Sequence, residues 1–187
     1  AESNCFYLEE LLLSEQPPPI FEEDILYAAT SLQNPVLFTA LLFHYPAPLP
    51  KGLVRRVAAV RNWSNLCVLV TDTSLSRNAQ FDGEWAEAFD QALSERQEAF
   101  LYTFLSSSLG RRLKRERLSL LISCSSSLLV EVAVGRTLWQ FTSKPVVFQE
   151  ILWAVSKKGH RSSADLLLKK FPVAFQASPA FAPIGWK

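Results

Sequence analysis

The feature that most restricts the fold is an apolar stripe that runs through residues 84–106. Its apolar members recur three and four residues apart, and acidic residues occupy many of the positions between them. This spacing matches the 3.6-residue period of a helix with one face on a core and the other in water. The stripe consists of Trp85, Ala88, Phe89, Ala92, Leu93, Phe100 and Phe104. We therefore expect a long amphipathic helix over residues 84–106, ended by Gly110.

Short apolar runs on either side of this helix have the character of β-strands. Leu128, Val130 and Val132 alternate with other residues, as in a strand that has one buried face. Gly135 and Arg136 match the central pair of a tight hairpin turn. We expect strands near residues 66–71, 118–123, 128–134 and 137–142. The chain is therefore predicted to be an α+β protein with a small, mainly antiparallel sheet.

Helices are expected to pack on this sheet. Asn34 followed by Pro35 is typical of a helix start, because Asn caps the first turn and proline fits the first helical position. Residues 53–60 fit either a helix or the first arm of a hairpin, and we favour the helix. The packing helices are predicted near residues 22–44, 84–106, 147–157 and 163–170.

Charge divides the sequence unevenly. Residues 1–50 contain seven acidic residues and no Lys or Arg, whereas residues 51–187 contain 19 basic and 11 acidic residues. Such a split indicates either that the acidic part packs on the basic part or that each part faces its own partner. Both parts are rich in apolar residues, which favours packing. We therefore divide the chain into an acidic helical arm at residues 1–50, packed on the core, and a single α+β domain at residues 51–187 with an irregular apolar tail.

Basic residues cluster in the second part of the chain. Five of them lie within seven positions, an array that suits a phosphate backbone or another acidic partner. The alternative is that these residues lie at helix ends, where they complement the helix macrodipole and stay solvated. The candidate binding residues are Arg111, Arg112, Lys114, Arg115, Arg117, Lys157, Lys158 and Arg161.

Asp72 ends the first apolar run and is the one acid that raises the question of catalysis. A carboxylate at the end of a strand can hold Mg²⁺ or act as a nucleophile, but such sites need further acids close by. Glu131 is the only other acid in a predicted strand. We favour the alternative that Asp72 bonds to backbone N–H groups in a turn. An Asp72-centred hydrolase or transferase is kept as the third hypothesis.

Other catalytic patterns are missing from the sequence. The two histidines are His44, expected to be packed in an apolar helix, and His160, expected to be solvated between two helices. The six glycines are scattered singly, which excludes a P-loop and a dinucleotide fingerprint. Cysteine and histidine spacings match no zinc site. We therefore predict no catalytic residue, no metal site and no cofactor.

Cysteine usage and hydropathy bear on the compartment. Cys5, Cys67 and Cys124 form an odd, widely spaced set, which argues against a disulfide framework and favours the nucleus or cytoplasm. The longest apolar run without charge or proline is about ten residues, whereas a membrane-spanning helix needs roughly 20, so no membrane span is predicted. Asn62 begins an N-glycosylation tripeptide, a pattern that arises often by chance.

The C-terminal sequence and the aromatic content indicate a surface for partners. Aromatic residues make up 12% of the chain, with five tryptophans, and the proline-punctuated tail carries large apolar side chains. The candidate interface residues of the tail are Phe175, Phe181, Ile184 and Trp186. The leading hypothesis is a non-catalytic interaction and assembly subunit of an intracellular hetero-complex. Nucleic-acid association through the basic clusters is the alternative.

Overall fold

Helices make up most of the chain that the computed structural model describes, namely residues 26, 29–45, 48–72, 75, 77–137 and 145–170, without the side chains of positions 44, 145 and 170. These ranges contain no β-strand, so the predicted α+β fold with an antiparallel sheet is wrong. The helices are α1 (Pro35–His44), α2 (Leu53–Ala59), α3 (Trp63–Thr71), α4 (Asp82–Ser94), α5 (Glu98–Ser106), α6 (Arg115–Cys124), α7 (Ser127–Thr137), α8 (Pro145–Lys157) and α9 (Arg161–Lys170). Short 3-10 turns occupy Ala79–Phe81 and Gly110–Arg112.

The predicted strand at residues 66–71 is the body of helix α3. Leu66, Leu69 and Val70 are buried at the i, i+3 and i+4 positions of one helical face. The helix begins at the cap Asn62, whose side-chain oxygen accepts a hydrogen bond from the backbone N–H of Asn65. The apolar run therefore reflects a helix that is buried over a wide face, which a short sequence window does not separate from a buried strand.

The predicted strand at residues 118–123 lies within helix α6. A strand would place Leu118, Leu120 and Ile122 on one face, because its side chains alternate. Instead Leu118, Leu121 and Ile122 are buried, and Leu120 is 54% exposed. This order of burial follows the helical period, so the strand prediction is wrong.

Helix α7 replaces the two remaining predicted strands as far as the structure describes them. Leu128, the first residue of the expected alternating pattern, is 61% exposed, whereas Leu129 and Val130 are both buried. Gly135 continues the helix, so it does not form the predicted hairpin turn. Thr137 ends the helix, and residues 138–142 of the last predicted strand lie outside the described ranges.

The predicted helix over residues 84–106 is helical except at one break. Helix α4 ends at Ser94, and α5 begins at Glu98. Between them Arg96 adopts a left-handed backbone with φ of 56°, a conformation more typical of glycine. The N–H of Gln97 bonds to the carbonyl of Ala92, which ends the first helix with a backbone turn.

The remaining predicted helices agree with the structure to different degrees. Helices α8 and α9 confirm the predictions at residues 147–157 and 163–170, and α2 confirms the helix favoured for residues 53–60. The helices predicted near residues 22–44 are separated at Asn34 and Pro35, as expected: Leu26, Ala29 and Thr30 are helical before this point, and α1 begins at Pro35. The Asn34 cap is confirmed, because its side-chain oxygen accepts from two backbone N–H groups of the first turn.

Contacts divide the chain into an N-terminal unit, residues 1–103, and a C-terminal unit, residues 104–187. In the N-terminal unit α2 packs on α3 and α4, and the rings of Trp63 and Phe100 lie 5.5 Å apart. In the C-terminal unit α8 packs on α6 and α9, and α7 packs on α6 and α9. More than half of the predicted arm at residues 1–50 lies outside the described ranges, so the division at residue 50 stays a prediction.

Candidate functional site

The predicted basic run lies where the C-terminal unit turns into helix α6. Arg111 and Arg112 occupy the 3-10 turn, Lys114 is the residue before the helix, and Arg115 is its first residue. All four side chains are exposed, and Arg117 is half-buried. The structure therefore presents most of this run to solvent at the start of a helix.

The position of these cations argues against the explanation that they complement helix macrodipoles. The helix macrodipole is positive at the N-terminus, so a cation there is disfavoured by about 0.3–1 kcal/mol. Lys114, Arg115 and Arg117 all lie at the N-terminal end of α6, and Arg161 is the first residue of α9. Only Glu116 adds negative charge in the first turn of α6. The interpretation that the clusters complement helix dipoles therefore fails for these residues.

Arg115 also connects the start of α6 to helix α8. Its guanidinium forms an ion pair with the carboxylate of Glu150, and both side chains are about half exposed. An exposed ion pair of this kind contributes little to stability. Its consequence is geometric, because it places the start of α6 beside the outer face of α8.

The outer face of α8 carries an exposed aromatic residue. Val146, Glu150, Trp153 and Lys157 recur at the i, i+4, i+7 and i+11 positions, and all four are exposed. Trp153 is 53% exposed, and the Lys157 Nζ atom lies 4.6 Å from the centre of its ring. This is cation–π geometry, which at an exposed site contributes about 0.5–1 kcal/mol. The opposite face of α8 is packed by Phe148, Ile151, Leu152 and Val155.

The second predicted basic cluster surrounds the turn between α8 and α9. Gly159 has φ of 80°, and the N–H of His160 bonds to the carbonyl of Val155. This left-handed turn reverses the chain and leaves Lys158 and Arg161 exposed on either side of it. Lys157 lies over the Trp153 ring, and Lys158 and Arg161 follow it along the chain on the two sides of this turn.

His160 is buried, so the prediction that it is solvated is wrong. The residue is 7% exposed, and its Nε2 lies 3.0 Å from the carbonyl oxygen of Ile122. Its Nδ1 lies 3.1 Å from the hydroxyl oxygen of Ser127. These partners assign the proton to Nε2 and make Nδ1 the acceptor from Ser127. The ring thus joins the end of α6, the start of α7 and the start of α9.

Within the described ranges, Ser127 and His160 form the one hydrogen-bonded pair of a hydroxyl and an imidazole. A nucleophile needs a base whose second nitrogen is oriented by a further group. Here that group is a backbone carbonyl, which fixes the ring but carries no charge to stabilise an imidazolium. We therefore assign this pair a structural role.

An open groove of about 380 Å³ lies along α7 and α9. Its walls are formed by Glu131, Ser162, Asp165, Leu166 and Lys169. Over the residues that the structure describes, no group of three or more His, Cys, Asp or Glu side chains is arranged to hold a metal ion. The groove thus has two acidic side chains, one lysine, one serine and one leucine in its walls, a lining without a metal site.

Asp72, the acid that raised the question of catalysis, lies just after α3. Its side-chain oxygen accepts a hydrogen bond from the backbone N–H of Leu75 at 3.3 Å. This is the turn geometry that we favoured for it. The side chain of His44 and the apolar tail residues Phe175, Phe181, Ile184 and Trp186 lie outside the described ranges.

Charge follows the division into units closely. The N-terminal unit contains six Lys and Arg against 14 Asp and Glu, a formal charge of −8. The C-terminal unit contains 13 Lys and Arg against four Asp and Glu, a formal charge of +9. The C-terminal unit is therefore a strongly basic helical body, which the net charge of +1 for the whole chain conceals.

Comparisons with protein-family models, with curated proteins and with solved structures return no match. None of the helices in the described ranges combines the length and the apolar character needed to cross a lipid bilayer.

Proposed function

We propose that the protein is a non-catalytic interaction subunit, a helical scaffold that works within a larger hetero-complex. The observation that carries the proposal is the outer face of α1. Val36 is 78% exposed, while Leu37, Phe38 and Leu41 pack the other side of the same helix. A helix that is apolar on both sides is suited to burial on both sides, one of them against a partner.

Two further features support a binding role. Asp72 bonds to a backbone N–H group, and His160 is held between a hydroxyl and a carbonyl, so neither of these polar residues is presented for chemistry. Cys67 and Cys124 are free, which supports the intracellular placement, nucleus or cytoplasm, that we propose. The C-terminal tail residues remain the second proposed protein interface.

The test is the assembly state of the full chain at its natural abundance. We expect a tagged chain to elute within a hetero-complex of fixed composition, and Val36→Glu to release it as a smaller species. Val60→Glu is the matched control, because Val60 is exposed at the end of α2 and not on α1. A wild-type chain that elutes alone and monomeric by light scattering, or equal loss in the control, would overturn the proposal.

Nucleic-acid association is the second candidate function. It is favoured by the formal charge of +9 on the C-terminal unit and by cations at helix N-termini, where the helix dipole disfavours them. The decisive measurement is binding as a function of salt concentration, because neutralised phosphates release counterions. No affinity for any oligonucleotide at low salt would remove this function.

A further inference from the structure

Trp153 and the cations beside it suit one class of ligand better than others. We propose that the outer face of α8, with the start of α6 and the turn before α9, binds single-stranded nucleic acid, and that Trp153 stacks on a base. This inference rests on the second candidate function and deepens it, because it names the site and the kind of strand.

The exposure of Trp153 is the first step. The residue lies in a helix whose inner face is fully packed by apolar side chains, yet more than half of its own surface is in water. Exposed tryptophans of this size are uncommon unless they meet a partner. Lys157 lies over the ring at 4.6 Å, so a cation already accompanies the aromatic surface. An aromatic ring beside a cation is the pairing that single-strand binding proteins use.

The order of charges along α8 is the second step. Glu150, the acid on this face, is neutralised by its ion pair with Arg115. One turn later comes Trp153, and one further turn brings Lys157, followed by Lys158 and Arg161. Glu150 and Lys157 are seven residues apart, or about 10 Å at 1.5 Å per residue. The face therefore offers a stacking surface with one cation over the ring and two more exposed cations at the turn before α9.

The third step separates a single strand from other polyanions. A duplex keeps its bases stacked inside, so its phosphates would satisfy the cations but leave the indole ring in water. An acidic peptide would likewise pair with Lys158 and Arg161 but offers no planar face for Trp153. A single strand presents phosphates and unstacked bases together, and every base has a face on which an aromatic ring can stack.

The experiment measures anisotropy of a labelled 12-nucleotide thymine strand, a 12-base-pair duplex and a labelled 12-residue polyglutamate, each with the full chain. Binding is titrated at about 50 and about 200 mM salt. We expect the single strand to bind most tightly and to weaken at the higher salt. Trp153→Ala should weaken it by about fivefold to 100-fold, and Trp153→Phe should restore most of the affinity.

Charge variants complete the test. Lys158→Glu with Arg161→Glu should weaken binding of the strand strongly and reduce its dependence on salt. Arg77→Glu with Arg96→Glu is the matched control, since it reverses two exposed charges of the N-terminal unit and should leave binding nearly unchanged. Circular dichroism and thermal melting show that each variant is folded.

The outcomes distinguish this inference from the function on which it rests. Binding of the strand that does not change with Trp153→Ala, or equal affinity for strand and duplex, overturns the site while nucleic-acid association stands. Tighter binding of polyglutamate overturns it in favour of an acidic protein partner. No binding of either nucleic acid at low salt removes both the site and the second candidate function.

Discussion

Glu84 Oε1 accepts a hydrogen bond of 2.7 Å from the backbone N–H of Gly52, so a side chain of α4 caps the start of α2. The other carboxylate oxygen accepts from the N–H of Arg55 at 3.2 Å. Gly52 cannot supply a side-chain cap itself, and its φ of 88° suits glycine. The buried Glu84 therefore satisfies two of the N–H groups that the first turn of a helix leaves without partners.

We predict that Glu84→Ala lowers the free energy of unfolding by about 1–3 kcal/mol, because two N–H groups lose a charged acceptor. Glu84→Gln should cost less, since its amide keeps one acceptor oxygen. Chemical denaturation measures both. Glu87→Gln is the matched control, because Glu87 lies in the same helix but forms an exposed ion pair with Arg55. A larger loss in Glu87→Gln than in Glu84→Gln would contradict the capping role.

Asn62 makes a second connection of this kind in the N-terminal unit. Its Nδ2 donates to the carbonyl oxygens of Thr30 and Leu32, while its Oδ1 caps α3. The side chain is buried, so the folded chain does not present the glycosylation tripeptide at this position. One amide thus holds the segment before α1 against the start of α3.

We predict that Asn62→Asp destabilises the protein by about 1–3 kcal/mol even though Asp caps a helix as well as Asn does. The new carboxylate keeps the cap but faces two carbonyl oxygens that it cannot bond. Asn34→Asp is the control, because the side-chain contacts given for Asn34 are as acceptor from its own helix α1. Equal stability of Asn62→Asp and wild type in urea would contradict the two carbonyl contacts.

Glycine substitutions separate the observed helix α7 from the hairpin that the sequence suggested. A Cβ added at Gly135 meets nothing within 4 Å, so Gly135→Ala should stabilise the helix by about 0.5–1 kcal/mol. In a tight hairpin turn the same change would be unfavourable, because that position needs positive φ. Gly110→Ala should destabilise the protein, since its Cβ would collide with the backbone of Leu105. Thermal unfolding with opposite shifts for the two variants confirms the prediction.

Local sequence signals predicted the helices whose start or apolar face is marked by neighbouring residues. Asn34 and Pro35 marked the start of α1, and the periodic stripe over residues 84–106 marked α4 and α5. The helices α3, α6 and α7 were missed because their short apolar runs fit both periods. What distinguishes them is tertiary burial: Leu121 is packed and its neighbour Leu120 is exposed, and packing partners from other helices decide this.

The candidate site was only partly visible in the sequence. The basic residues were identified from the sequence. Their position at the N-terminus of α6 was missed, because a strand was predicted at residues 118–123, where α6 lies. Trp153 lies at helical spacing between Glu150 and Lys157, away from the core residues of α8, and this spacing was the signal for its exposure. His160 was expected to be solvated because it follows Gly159 between two helices, and its partners Ser127 and Ile122 lie more than 30 residues away in the sequence.

The two described cysteines are predicted to react at very different rates. Burial raises the pKa of the Cys67 thiol, and a hydrogen bond with Thr103 opposes this only in part. Cys124 is exposed at the end of α6. Since thiolate and access both control alkylation, iodoacetamide should modify Cys67 on the order of tenfold more slowly at pH 8, as read by peptide mass spectrometry. Equal rates in the folded chain, unchanged by urea, would contradict the packing around Cys67.

The same raised pKa predicts how stability changes at alkaline pH. The folded state holds the Cys67 proton to higher pH than the unfolded state does, so the thiol's contribution is complete below the unfolded value of about 8.5. It is lost as the pH rises through the higher folded value. Wild type should therefore lose stability relative to Cys67→Ala above about pH 8.5, whereas Cys124→Ala should track wild type. Parallel urea-unfolding curves of wild type and Cys67→Ala from pH 7 to pH 10 would contradict this linkage.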